Sequence, residues 1–215
     1  MRSMLRRLMP CKAGHRPQRL LRHLPRLHNR RRLDSLPGLW GTMWRMFTAP
    51  IIQMHGTHVI IPDGIRGIES TIGAMRAMVD TFKTNFDVRQ LATSLVFNVT
   101  EKDEFAEARA IFNYVRDQVR YLRDIHGVET LCAPNITMRS QVGDCDDQST
   151  LLAALLESIG YPTRFVIAGY NVENSPEHVY TQVLLNGVWI DADPTEREPL
   201  GYAPPDPVNI WYEVR

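Results

Sequence analysis

The chain has 215 residues, of which 44% are hydrophobic, and its formal net charge is +1. This length and composition suffice to bury a core and to form one domain with additional segments. No apolar run in residues 1–50 has the length of a membrane span or the pattern of a signal peptide, which argues against secretion by that route and against a membrane span there.

The near-neutral net charge hides two segments of opposite sign. Residues 1–50 hold 12 Arg and Lys residues and one acidic residue, a charge of +11, and residues 51–215 hold 13 basic and 23 acidic residues, a charge of −10; the two add up to +1. We interpret residues 1–50 as a basic disordered extension. One version of this interpretation is that the start codon has been assigned too far upstream. The alternatives are an arm that binds nucleic acid or an acidic partner by charge, and a transit peptide.

Residues 51–104 are predicted to form a helical preface. A strand and turn are expected at residues 58–64, a helix at 67–84 and a second, weaker helix at 88–95, from their apolar spacing. A longer helix is predicted over residues 98–124, with Thr100 and Asp103 in a capping-box-like start.

Residues 123–143 lack periodicity and contain Gly and Pro, which predicts a long loop. A buried helix follows, because leucines recur at helical spacing from Leu151 until Gly160 and Pro162 end the pattern. Cys145 therefore lies at the N-terminus of this helix, where the dipole stabilises a thiolate. Its acidic neighbours Asp144, Asp146 and Asp147 oppose a thiolate, so the thiol needs a cationic partner.

A strand is predicted at residues 163–170, and two further strands flank Asn186-Gly187, the dipeptide favoured in two-residue hairpins. With Leu185 opposite Val188, the register places Gln182 opposite Asp191 and Tyr180 opposite Asp193. Helices followed by antiparallel strands predict an α+β fold.

The hairpin register selects one of two carboxylates as a partner for His178. Asp193 is the diagonal neighbour, about 7–8 Å away at Cα, whereas Asp191 lies roughly 13 Å away. Cys145, His178 and Asp193 therefore form a candidate nucleophile, base and orienting acid.

Three segments resemble the transglutaminase-like superfamily, as found in bacteria and bacteriophages: GDCDDQS at residues 143–149, HVYTQVLLNGVWIDADPT at 178–195 and IFNYVRDQVRYLRD at 111–124. The resemblance covers residues 105 to 195. It implies a papain-like core in which the nucleophile helix packs on an antiparallel sheet, with residues 105–215 as the catalytic domain. It also implies catalytic roles for Cys145, His178 and Asp193.

The implied chemistry is acyl transfer through a thioester on Cys145, without cofactor or metal, as in a peptidase or amidase. The backbone N–H of Cys145 is a natural oxyanion donor, and Tyr121 is a candidate second donor, although a core tyrosine is the preferred interpretation. The expected substrate is a protein or peptide, with peptidoglycan peptides as one candidate. The acidic body gives no sign of nucleic-acid recognition. We expect the protein in the bacterial cytoplasm or in an assembled phage particle.

Other functions stay open at this point. The acidic residues around Cys145 could bind Mg²⁺ or Ca²⁺, or imitate the Asp pair of phosphoryl-transfer enzymes. Cys132, Cys145 and His178 could bind zinc, although their spacing is poor; otherwise the cysteines do not form a disulfide framework. The strongest alternative is a non-catalytic structural or binding module of the same fold within a phage tail or baseplate, where the partners would be phage structural proteins.

Overall fold

A computed structural model describes residues 6–9, 60–61, 65–124, 129–170, 177–205 and 207–213 of the chain. All of these belong to one compact unit, and residues 15–55 lie outside the described residues. The predicted division at residues 50 and 104 stays a prediction. The disorder predicted for residues 1–50 falls outside the described residues, apart from one short strand at residues 6–9.

Five helices are described in this unit, and none of them is both long and apolar enough to cross a bilayer. They are α1 (Ile65–Phe82), α2 (Phe86–Val96), α3 (Glu104–Gln118), α4 (Pro134–Ser140) and α5 (Cys145–Ser158).

The helices differ from the sequence prediction at the start of α3 and by the presence of α4. Asp103, rather than Thr100, is the N-cap of α3, and its carboxylate accepts a hydrogen bond from the Ala106 amide. Helix α4 lies inside the stretch predicted to be a loop; it is a short helix that begins with Pro134 at its first turn, where proline is tolerated. Seven residues are too few to produce a recognisable apolar period.

The strands of the described residues form three small sheets. They are β1 (Arg6–Met9), β2 (Ile60–Ile61), β3 (Arg120–Tyr121), β4 (Glu129–Thr130), β5 (Val142–Gly143), β6 (Thr163–Gly169), β7 (His178–Leu185), β8 (Val188–Ala192) and β9 (Asn209–Tyr212). The largest sheet is antiparallel with the order β8-β7-β6-β9, while β3 pairs with β5 and β1 lies between β2 and β4.

The predicted hairpin is confirmed with its register. Leu185 pairs with Val188 and Gln182 pairs with Asp191. Asn186 and Gly187 have φ values of 49° and 79°, as a two-residue turn with two left-handed residues requires. The turn therefore fixes which residues of β8 lie beside the start of β7.

Helix α5 is the centre of the core. From Asp146 to Leu156 every residue of this helix is buried. One side of it packs in a cluster with α2, α3 and β7, and the other side packs in a cluster with α1, β6 and β7. The predicted α+β fold, with the nucleophile helix packed on an antiparallel sheet, is confirmed.

Gly143 and Asp147 make the close contact that positions the start of α5. A Cβ atom on Gly143 would lie 2.6 Å from the Cβ atom of Asp147, so only glycine fits without movement. The buried carboxylate of Asp147 accepts a hydrogen bond of 2.6 Å from the backbone N–H of Cys132. This carboxylate therefore connects the segment before α4 to the first turn of α5.

We expect Gly143→Ala to destabilise the protein by about 1–3 kcal/mol, because the added methyl group must displace Asp147. The matched control is Gly73→Ala, since Gly73 lies inside α1 and a Cβ there meets no atom within 4 Å. This control should stabilise the protein by about 0.5–1 kcal/mol through helix propensity. Chemical denaturation followed by circular dichroism measures both changes; equal effects of the two substitutions would contradict the steric argument.

Candidate active site

Cys145 is the first residue of α5, and Asp144 is its N-cap residue, with an extended backbone. The thiol is partly buried and donates a hydrogen bond of 3.0 Å to Asp146 Oδ1. Burial raises the pKa of the Cys145 thiol well above its ordinary value, the charges of Asp146 and Asp144 raise it further, and a hydrogen bond from the Val179 backbone lowers it. The prediction that the surrounding acids oppose a thiolate is confirmed for Asp144 and Asp146.

The cysteines and acids leave little support for a metal site. Cys132 is disulfide-bonded, so it cannot supply the thiolate that a zinc site with Cys145 and His178 would need. The cysteine count, which predicted no disulfide framework, did not indicate this bond. Disulfide pairing depends on proximity in space, which sequence spacing does not reveal. Asp146 and Asp147 are engaged by the Cys145 thiol and the Cys132 amide. Over the described ranges, no three His, Cys, Asp or Glu side chains are grouped so as to hold a metal ion.

His178 begins β7, and Asp193 follows the end of β8 directly. His178 Nε2 lies 2.5 Å from Asp193 Oδ2, and the Asp193 side chain is fully buried. With the Asp193 carboxylate as the acceptor, Nε2 is the donor of this bond, and in the neutral imidazole Nδ1 is then an acceptor. The structure thus brings together the two residues that the hairpin register selected.

Asp191, the carboxylate that the register rejects, has other partners. Its Oδ1 accepts a hydrogen bond of 2.7 Å from Gln182 Nε2 across the hairpin. Tyr180 also hydrogen-bonds to it, and the pKa of that hydroxyl is raised by burial first and then by Asp191. These contacts hold Asp191 away from a role beside His178.

The sequence-based reasoning missed Thr195, which orients Asp193. The backbone N–H and the hydroxyl of Thr195 both donate to Asp193 Oδ1, at 3.1 and 2.7 Å. One carboxylate oxygen therefore holds the turn and the other holds His178. The sequence contains a signal for this contact, because an Asp followed two residues later by a Thr is typical of a turn closed by the Asp side chain.

Two buried hydroxyls that the sequence did not single out connect α5 to β7. Ser149 Oγ donates to the Val179 carbonyl at 3.2 Å, and Thr181 Oγ1 donates to the Ser149 carbonyl at 3.1 Å. Ser149 lies one turn after Cys145, and Val179 follows His178. These bonds bring the start of α5 beside the start of β7.

Tyr121 is not a core residue, which corrects the preferred interpretation of its sequence. It is 46% exposed, and it pairs with Gly143 across β3 and β5. Burial of part of the ring raises the pKa of the phenol, and the charges of Cys145 and Asp144 raise it further. Tyr121 therefore lies near the Cys145 thiol rather than in the hydrophobic core.

Comparison with known proteins gives a family and several distant structures. The model of the transglutaminase-like superfamily matches residues 89–194. No curated protein matches the chain significantly.

Three solved structures share low sequence identity with the chain. A proposed cysteine protease from Cytophaga hutchinsonii is 16% identical, with a TM-score of 0.43, over 66% of this chain and 55% of that one. A proposed protease from Parabacteroides distasonis is 11% identical, with a TM-score of 0.49, over 61% and 26%. A TGase is 16% identical, with a TM-score of 0.35, over 68% and 35%. The matched part thus spans little more than half, or less, of these proteins.

The family match spans α3, the start of α5 and the β7–β8 hairpin, and it ends at Pro194, directly after the acid that hydrogen-bonds to His178. Residues 89–194 of this chain, with Cys145, His178 and Asp193 among them, belong to the transglutaminase-like superfamily.

Proposed function

We propose that this protein is a cysteine-dependent acyl-transfer enzyme, a peptidase or amidase that acts through a thioester on Cys145. Membership of the superfamily supports a cysteine-dependent enzyme in general. The observation that carries the finer proposal is the hydrogen bond between His178 Nε2 and the buried Asp193, on the strand whose next residue, Val179, contacts the Cys145 sulfur. A base held by a buried acid beside a thiol is the arrangement that nucleophilic catalysis needs.

The proposed reaction begins when His178 Nδ1 takes the thiol proton. The sulfur then attacks the amide carbonyl, and the oxyanion forms near the Cys145 backbone N–H at the helix start. The C–N bond breaks as the imidazolium returns the proton to the leaving amine. Water, deprotonated by His178, then attacks the thioester and releases the acid and the free thiol. Hydrolysis, rather than transfer to a second amine, is the outcome we propose, with a protein or peptide as substrate.

Asp146 is an obstacle to this reaction in the structure as it stands. The thiol donates to the Asp146 carboxylate, and this carboxylate also raises the pKa of the thiol. Catalysis therefore requires the thiol to turn from Asp146 to His178.

A second candidate function follows from the same observation. A thiol whose pKa is raised and whose proton is held by Asp146 is a poor nucleophile. This favours a non-catalytic structural or binding module, for which a phage tail or baseplate is a suitable setting. Turnover, or its absence in a protein that co-purifies with an assembly, separates the two functions.

We expect Asp193→Asn to slow the labelling of Cys145 by a thiol-directed probe about tenfold or more, because His178 loses the charge that supports its imidazolium. His178→Ala should slow the labelling at least as much. The measurement is peptide mass spectrometry of the residue-145 adduct over time at neutral pH.

The matched control is Asp191→Asn, which removes a charge two residues away from Asp193 and leaves the His178 contact intact. It should change the labelling rate by less than about twofold. If the wild type, His178→Ala and Asp193→Asn were labelled at equal rates, the proposed roles of His178 and Asp193 in activating Cys145 would be contradicted.

We expect Asp146→Asn to speed alkylation of Cys145 by iodoacetamide. Replacing the carboxylate with a neutral amide removes the negative charge that raises the thiol pKa, so the pKa falls and the thiolate fraction rises. Below that pKa, each unit of decrease raises the rate about tenfold, and the pH–rate profile shifts to lower pH.

Asp80→Asn serves as the control for this second experiment, since Asp80 is an exposed residue of α1 that forms an ion pair with Lys83 and is not among the charges that raise the thiol pKa. It should leave the pH–rate profile where it is. A slower reaction of Asp146→Asn would show that this carboxylate assists the thiol rather than opposes it.

A further inference from the structure

A cavity of about 550 Å³ lies between the C-terminal end of α3 and the turn that follows Asp193. Neither Cys145 nor His178 lines it. Tyr121 does, and it also lies near the Cys145 thiol, so the cavity adjoins the candidate active site. The residues that line it include Arg116, Asp117, Arg120, Gln148, Glu196 and Arg197.

Gln148 supplies a buried hydrogen-bond acceptor to the cavity wall. Its side chain is almost fully buried, and its Nε2 donates at 3.1 Å to the Gly143 carbonyl. Because a carbonyl can only accept, this bond fixes which end of the amide is the oxygen. Gln148 Oε1 has no hydrogen-bond partner among the described residues. An unsatisfied buried acceptor is unfavourable, so an N–H or O–H group of a ligand would improve the site.

The charges of the lining are only partly balanced. Arg116 forms two hydrogen bonds, of 2.8 and 3.1 Å, to the Asp117 carboxylate, so this pair is internally neutral. Arg120 and Arg197 are exposed and form no ion pair with any described residue. One acidic side chain, Glu196, accompanies them. The cavity thus carries an excess of positive charge, although residues 51–215 together carry −10.

We propose that this cavity binds an acidic part of a peptide substrate. A peptide N–H donates to Gln148 Oε1, and a carboxylate lies between Arg120 and Arg197 at the rim. Gln148 is one turn after Cys145 on α5, a rise of about 4.5 Å, so the bound part lies close to the amide that Cys145 attacks. This inference rests on the proposed function for its substrate, but its binding step does not depend on turnover.

The test measures binding to the full chain carrying Cys145→Ala, by isothermal titration calorimetry at low salt. The probes are three blocked octapeptides: acetyl-(Ala-Glu)₄-amide, acetyl-(Ala-Gln)₄-amide and acetyl-(Ala-Lys)₄-amide. We expect the acidic peptide to bind at least about fivefold more tightly than either of the others, because charge complementarity sets the preference. Separate Arg120→Glu and Arg197→Glu variants should each remove most of this preference.

Arg109→Glu is the matched control, since Arg109 is an exposed residue of α3 that does not line the cavity. It makes the same change in net charge and should leave the preference intact. Gln148→Met should weaken binding of all three peptides alike, because each offers the same backbone N–H groups. Should that variant fail to fold, the exposed arginine variants still decide the result.

Equal binding of the three peptides, tighter binding of the lysine peptide, or no binding of any peptide would overturn the proposal. So would an Arg109→Glu variant that loses the preference as fully as the cavity variants do. The rate of Cys145 labelling in the wild type is measured in parallel. Normal labelling with failed binding rejects the cavity assignment alone, whereas failed labelling with selective binding rejects the catalytic function alone.

Discussion

The pair of hydrogen bonds between α5 and β7 is the constraint on which the rest of the site depends. Ser149 donates to the strand, and Thr181 of the strand donates back to Ser149, while apolar residues of α5 and β7 pack in the two buried clusters. Two packed apolar surfaces can slide by a fraction of a residue, whereas buried polar groups must keep their partners. The bonds thereby fix the position of Cys145 along the start of β7, where the Val179 backbone meets the sulfur.

The parts of the fold and site that sequence predicts are those set by local chemistry. Asn186-Gly187 determines the turn, the turn determines the register, and the register selects Asp193 over Asp191 for His178. The leucine period likewise identifies α5. Each inference uses residues that are close along the chain, where backbone geometry and side-chain period leave few alternatives.

The parts that sequence does not predict depend on contacts between distant segments. Helix α4 is too short to show a period, and the disulfide of Cys132 depends on proximity in space. Tyrosine is a residue type that is often found in a core, so the sequence favoured a core position for Tyr121. Its two-residue strand instead pairs with β5 and leaves the ring half exposed beside the thiol. The role of Ser149 is visible only once α5 lies against β7.

The complete burial of α5 limits which positions of this fold can tolerate substitutions. An ordinary surface helix accepts many residues on its outer face, so a scan of substitutions along it shows tolerance with a period of 3.6 residues. From Asp146 to Leu156 helix α5 has no outer face, and a scan of substitutions there should show uninterrupted intolerance. New specificities are therefore expected to arise in the segments around α5, such as the end of α3 and the turn after β8, while the helix itself stays nearly constant.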